Sequence, residues 1–246
     1  MKLTLLGTGD AVGTPKIGCT CPACEDARRG GKSERLRSSI LVESANGKIL
    51  IDTSPDLRQQ FLKQKLSRID GVIWTHGHYD HYSGFGEFYR VQNKVDVYGI
   101  PETLDYIDQF VSFLKPKYHY VKLYEPFELI GLTFILFEVN HPPVEMPAGV
   151  IIREGEVKVV VTGDTNSKIP DASLRLMKDP DLLIADAIVP PHIHIKKHMN
   201  SKEAMELAKK LNAKETVLVH LSHHFRPHSI ESLFFPLGYD GQVFEY

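Results

Sequence analysis

The sequence predicts an α/β protein made of two packed β-sheets with helices outside them. Three observations carry this expectation. Two β-rich runs are each followed by helical segments, tight-turn dipeptides punctuate the apolar runs, and the last third alternates helix with strand. No low-complexity tract, charge block or long Pro/Ser linker divides the chain, so one domain is expected over residues 1–246.

Each element follows from local pattern. Met1-Lys2-Leu3-Thr4-Leu5-Leu6-Gly7 reads as a first strand, and Gly7-Thr8-Gly9 as a tight turn after it, since it lacks the lysine of a phosphate-binding loop. Strands Ser39–Glu43 and Lys48–Asp52 flank Asn46-Gly47, a two-residue hairpin signal. Helical spacing runs from Pro55 to Gln64, followed by the short apolar strand Gly71–Trp74. Val95–Tyr98 is a strand, and Pro101 suits the first position of a helix reaching about Leu114. Tyr118–Val161 is rich in β-branched and aromatic residues. It contains strand Leu132–Val139 and a turn at Glu154-Gly155 joining Val150–Arg153 to Val157–Val161. Helix Ala172–Met177, strand Leu182–Ala185, helix Ser201–Leu211 and strand Thr216–His220 then alternate, with Asn200 and Glu203 fitting a capping box.

Composition narrows the function classes. The formal net charge of −2 offers no wide basic field for a nucleic-acid backbone. The apolar start is too short for a signal peptide and no long apolar span follows it, so no membrane association is expected. All three cysteines fall between Cys19 and Cys24, a poor disulfide framework, and a reducing cytoplasmic location is the simplest expectation. A homodimer is the base-rate expectation for oligomeric state.

The chemistry concentrates in Thr75-His76-Gly77-His78-Tyr79-Asp80-His81, which follows the apolar strand directly. A strand end holds its loop rigidly, and imidazoles and a carboxylate at one-residue gaps can serve two adjacent cations. Zinc, manganese and iron all suit such ligands. Further candidates also stand where strands end: His141 after Leu132–Val139, Asp164 after Thr162-Gly163, and His220 closing its strand. A carboxylate can bridge two cations, and Asp164 is the candidate for that position.

Thr75–His81, His141, Thr162-Gly163-Asp164-Thr165 and His220, in this order, resemble the five-motif pattern of the metallo-β-lactamase superfamily across nearly the whole chain. The resemblance implies a four-layer αββα sandwich with two divalent cations at one edge. It assigns His76, His78 and His141 to one cation, Asp80, His81 and His220 to the other, and Asp164 to both. Asp52, in Ile51-Asp52-Thr53, matches the acidic first motif, which supports the metal loop from behind.

Cys19-Thr20-Cys21-Pro22-Ala23-Cys24 offers three thiols that can wrap one structural zinc, with a distant histidine as the fourth ligand. Unrelated thiols, or a redox pair at Cys21 and Cys24, are the other readings. Together with Gly7-Thr8-Gly9 and Gly13-Thr14-Pro15, the cluster resembles the family of the phosphodiesterase associated with carbon–phosphorus lyase, which opens a cyclic phosphate on phosphoribose. That resemblance implies His223 as the fourth zinc ligand, with His224 adjacent.

Two cations sharing a water would lower its pKa enough to give hydroxide near neutral pH, and would offset charge developing on phosphoryl oxygens. The leaving alkoxide still needs a proton. In Pro190-Pro191-His192-Ile193-His194-Ile195-Lys196-Lys197-His198, His198 matches the family's general acid and Asp186 an acidic residue near it, while His192 and His194 are the alternative donors. Lys196 and Lys197 read as a solvated pair. The expected function is therefore a dinuclear, manganese- or zinc-dependent hydrolase of small cyclic phosphodiesters of ribose or nucleotide type. Asp80→Ala should abolish turnover with little loss of fold, as rates and circular dichroism would show. The alternatives are a tRNA 3′-end endonuclease, disfavoured by the near-neutral charge, and a thioester or lactam hydrolase.

Overall fold

The computed structural model describes Met1–Tyr246. In the first sheet, β1 (Lys2–Gly7), β2 (Ser39–Ser44), β3 (Gly47–Ile51), β4 (Gly71–Ile73), β5 (Asp96–Gly99) and β6 (Lys117–Tyr120) lie side by side, and β13 (Val243–Glu245) pairs with the free edge of β1. The second sheet holds β7 (Pro126–Leu129), β8 (Leu132–Glu138), β9 (Ala148–Glu154), β10 (Val157–Val161), β11 (Leu182–Asp186) and β12 (Glu215–Val219), again neighbours in chain order.

Period-two alternation explains the layering. Ile49 and Ile51, Val150 and Ile152, Val159 and Val161, Leu182 and Ile184 point into one core between the sheets. The residues between them point the other way. Leu50, Val72 and Val97 meet Leu57 of α2 (Leu57–Gln64) and Leu104 and Ile107 of α4 (Pro101–Val111). Ile151, Val160, Leu183 and Leu218 meet Leu174 of α5 (Asp171–Met177) and Leu207 of α6 (Ser201–Leu211). The result is the αββα sandwich. A strand covered on both faces has to be apolar throughout, and that is how these segments read. No helix is long and apolar enough to cross a membrane.

Several expectations shift by a residue. The first hairpin turns at Ala45-Asn46, with Gly47 already paired to Ser44, and the second turns at Gly155-Glu156, with Glu154 paired to Val157. Helix α4 ends at Val111, and Ser112–Leu114 continues as a 3₁₀ turn. The capping box of α6 forms, Asn200 Oδ1 accepting from Lys202 and Glu203 at 3.0 Å. Short helices α1 (Pro22–Arg28), α3 (Tyr79–Tyr82) and α7 (His228–Glu231) were not foreseen. Gly7-Thr8-Gly9 is not a turn. The chain stays extended there, and a Cβ on Gly7 would stand 2.0 Å from the Arg37 carbonyl, so glycine permits a close approach of two backbones. The turn falls at Ala11-Val12, where Asp10 Oδ1 accepts from Val12 and Gly13.

Strand direction sets the position of the site. β3 and β4 are parallel, β10, β11 and β12 are parallel, and β8 is antiparallel to β9, which is antiparallel to β10. β3 and β4 therefore finish at one end of the first sheet, and β8, β10, β11 and β12 at one end of the second, where β9 begins. The two ends are tied together where Ala148 N donates to Thr75 O at 3.0 Å.

Candidate metal centre

The loops leaving these strand ends bring every expected catalytic ligand together. His76, His78, His141 and Asp164 form one group whose ligand atoms all lie within 4.8 Å of one another, and Asp80, His81, Asp164 and His220 form a second. Asp164 belongs to both. Its Oδ2 stands 3.7 Å from His76 Nε2, 3.8 Å from His141 Nε2 and 3.3 Å from His81 Nε2, and its Oδ1 stands 3.3 Å from His220 Nδ1. His78 Nδ1 is 3.0 Å from His141 Nε2, and Asp80 Oδ2 is 3.4 Å from His81 Nε2. Two ligands bound at the usual 2.0–2.2 Å to one tetrahedral ion stand about 3.3–3.6 Å apart, so this spacing fits a cation in each group.

Unsatisfied atoms point the same way. His76 Nε2, His81 Nε2 and His220 Nδ1 are buried and have no hydrogen-bond partner. Buried polar atoms without partners are costly and rare, and one cation in each group would satisfy these three. The far ring nitrogens are held by the protein. His81 Nδ1 meets Asp52 Oδ2 at 2.7 Å, His76 Nδ1 meets Thr75 Oγ1 at 3.0 Å, and His141 Nδ1 meets Lys197 O at 2.8 Å. Such contacts fix the tautomer that leaves the other nitrogen free to ligate. Asp52 also accepts from Thr75 N at 2.9 Å and Thr75 Oγ1 at 2.8 Å, so it braces the loop at both ends. Behind it, Trp74 Nε1 donates to Thr53 Oγ1 at 2.9 Å, and Thr53 N donates to His81 O at 2.7 Å.

Burial, reinforced by the charge of His81, holds His76 neutral well below the ordinary histidine range; burial also lowers His78, and it brings His141 down to about 4. These imidazoles keep lone pairs available at neutral pH. Burial opposes ionisation of Asp80 and Asp164, yet His81 and His220 outweigh it and keep both carboxylates ionised.

Cys19, Cys21, Cys24 and His223 form a third group within 4.8 Å. His223 Nδ1 lies 3.5 Å from the Sγ of both Cys19 and Cys21, close to the separation of about 3.5 Å expected for sulfur and nitrogen on one zinc. His224 is exposed and does not belong to the group. No disulfide joins these cysteines. Burial pushes the Cys24 thiol up to about 12, so a bound cation is what would make it a thiolate.

His198 stands beside the two His/Asp groups, its ring stacked on His220 at 5.0 Å and 4.5 Å from His141. Its Nδ1 meets Asp186 Oδ2 at 2.8 Å. Burial disfavours its charge, but the Asp186 carboxylate outweighs that and raises its pKa to about 9. His192 and His194 are exposed on the loop before it, and neither joins the cluster. Sequence reading missed Thr75 as a brace and the carbonyl of Lys197; the Thr beside the first His is the only signal either one left. It placed helix α4 but not the face of it that lines a pocket beside His78 together with Pro143, Val144 and Glu145.

A beta-lactamase superfamily domain matches residues 47–221. An octanoyltransferase of Porphyromonas gingivalis is 30% identical over 98% of this chain and 51% of its own length. Coenzyme PQQ synthesis protein B of Ruegeria pomeroyi is 33% identical over 63% of this chain and 56% of its own. The chain thus spans about half the length of these curated relatives. Among solved structures, a diphosphatase from the PhnP family is 31% identical, with a TM-score of 0.88 over 100% of this chain and 97% of that one.

Proposed function

The chain belongs to the beta-lactamase superfamily, and we propose that it is a dinuclear metal-dependent phosphodiesterase that opens small cyclic phosphodiesters of ribose or nucleotide type. One observation carries this reading: two ligand groups share Asp164 directly beneath the His198–Asp186 pair. The diphosphatase that is 31% identical to this chain supports attack at phosphorus.

His76, His78 and His141 would hold one divalent cation, Asp80, His81 and His220 the other, and Asp164 both, manganese or zinc being suited to such donors. When bound, the two cations supply Lewis acidity, acidifying a water and offsetting phosphoryl charge. The chain supplies the rest. Asp52, Thr75 and the Lys197 carbonyl orient the ligand imidazoles. His198, kept protonated by Asp186, carries a proton on Nε2 for the leaving alkoxide, because Nδ1 is already committed to the carboxylate. Cys19, Cys21, Cys24 and His223 would hold a structural zinc that ties the amino-terminal segment to the loop after β12.

The test is the initial rate of the manganese- or zinc-loaded protein on ribose and nucleoside cyclic phosphodiesters, beside an aryl phosphodiester, precursor tRNA and an acyl thioester. Selective opening of the cyclic esters is expected. Cleavage of tRNA alone, or of the thioester alone, would overturn the proposal.

A further inference from the structure

We propose that a cation held by Cys19, Cys21, Cys24 and His223 fixes the position of His220, and so raises the affinity of the group formed by Asp80, His81, Asp164 and His220 for its own cation. The inference rests on the dinuclear reading of the two His/Asp groups. It goes beyond that reading by making the cysteine group a positioning element of the metal centre.

His220 depends on its backbone more than the other imidazoles do. Thr75 Oγ1, Asp52 Oδ2 and the Lys197 carbonyl hold the far ring nitrogens of His76, His81 and His141. The His220 ring instead has stacking contacts, on His81 at 5.6 Å and on His198 at 5.0 Å, and its buried Nδ1 has no hydrogen-bond partner. Among the candidate ligands of the two His/Asp groups, only His220 has a left-handed backbone, at φ 59°. A residue other than glycine keeps that conformation only where its surroundings impose it.

The amino-terminal segment imposes it at two points. At the first, Leu221 N donates to Thr8 O at 2.8 Å and Asp10 N donates to Leu221 O at 3.3 Å. Asp10 Oδ1 then accepts from Val12 N at 3.3 Å and Gly13 N at 3.2 Å, which turns the chain. At the second point, Cys21 Sγ donates to His223 O at 3.3 Å, and the Sγ atoms of Cys19 and Cys21 lie 3.5 Å from His223 Nδ1. Lys16 N donates to Cys24 Sγ at 3.3 Å, joining the third thiol to the same segment.

The first clamp closes with backbone hydrogen bonds. The second consists mainly of sulfur contacts, which are weak until a cation draws three thiolates and an imidazole onto one centre. His220 and His223 are three residues apart, so closing the second clamp removes freedom from the segment that carries the ligand. The effect is confined to one group. No hydrogen bond joins residues 8–24 to the loops that carry His76, His78 and His141. Coupling of this kind is reciprocal, so each cation tightens the hold on the other by one factor.

The experiment titrates the metal-free protein with manganese in a calorimeter, alone and after one equivalent of cadmium. Cadmium is soft and seeks the thiolates, and its charge-transfer band reports that they hold it, whereas manganese suits imidazole and carboxylate. Two manganese sites are expected, one of them tightened about tenfold or more by cadmium and the other unchanged. Cys19→Ser should abolish the tightening with the circular dichroism of the native fold. His220→Ala should leave one manganese site on which cadmium has no effect. Equal manganese affinities with and without cadmium would overturn the inference. So would equal tightening of both sites, or tightening that persists in His220→Ala. The coupling is read in the unsubstituted protein, so a variant that fails to fold leaves the test standing. Absence of manganese binding would overturn the dinuclear reading together with the inference, whereas inactivity on cyclic diesters with the coupling present would overturn the phosphodiesterase reading alone.

Discussion

Asp52 shows how much one residue off the ligand list can carry. It adopts a left-handed backbone at φ 61°, which few side chains tolerate, and its carboxylate collects Thr75 N, Thr75 Oγ1 and His81 Nδ1. Asp52→Asn retains the size but cannot accept all three donors. Metal affinity is expected to fall about 10–100-fold with the fold retained, as measured by metal titration beside circular dichroism. In the proposed reaction His198 would act at the leaving group rather than on the ligands. His198→Asn should lower kcat on an alkyl diester by about 10²–10⁴ while costing an aryl diester much less, because a phenolate leaves without a proton. Equal losses on both esters would show that His198 only positions its neighbours.

Among elements, the sheets were the most legible. Strands such as Val157–Val161 and Leu182–Asp186 are covered on both faces, so their apolar runs admit few other readings. Turns were legible in kind but not in register. Asn46-Gly47 does mark a hairpin, yet Gly47 lies inside the ladder opposite Ser44, and only the pairing fixes which two residues form the tip. Two of the short helices were hidden because candidate-ligand motifs occupy them: α1 begins within the cysteine cluster, and α3 is made of Tyr79–Tyr82. At the site, the residues of the two His/Asp groups follow strand ends, and the sequence showed them as candidates. The pocket wall on α4 could not be read there, since Glu102, Asp105 and Gln109 look like any solvated helix face until the fold sets them against His78. The core between the sheets carries its own prediction. Phe134 is fully buried there, and Phe134→Ala should cost about 3–5 kcal/mol, lowering the thermal midpoint in a melting experiment by roughly 6–20 °C.

Over the whole molecule, a buried polar network joins distant parts of the chain. Arg35 Nη1 donates to Thr8 Oγ1 at 2.7 Å and to Gly238 O at 2.5 Å, and its Nη2 donates to His228 Nδ1 at 3.1 Å, which requires a neutral imidazole. Burial, then the Arg35 charge, lowers His228 to about 4. Because the folded state resists a proton that the unfolded chain takes near pH 6.5, this contribution to stability is complete above that pH. It is lost as pH falls from 6.5 towards 4. Urea titrations of the metal-free protein across that window should show stability falling with acidification, and His228→Gln should flatten the slope. An unchanged slope would place the acid sensitivity elsewhere.

The third ligand group also has a history in time. Cys19 and His223 are 204 residues apart in the chain, although their side chains meet at 3.5 Å. At the usual pace of about 5–20 residues per second, the thiols leave the ribosome roughly 10–40 s before their imidazole partner exists. Through that interval they are an unfinished claw, open to oxidants and to soft metals other than the one the finished site would keep. The integrity of such a site would therefore depend on the redox and metal climate in which Cys19, Cys21 and Cys24 wait for His223.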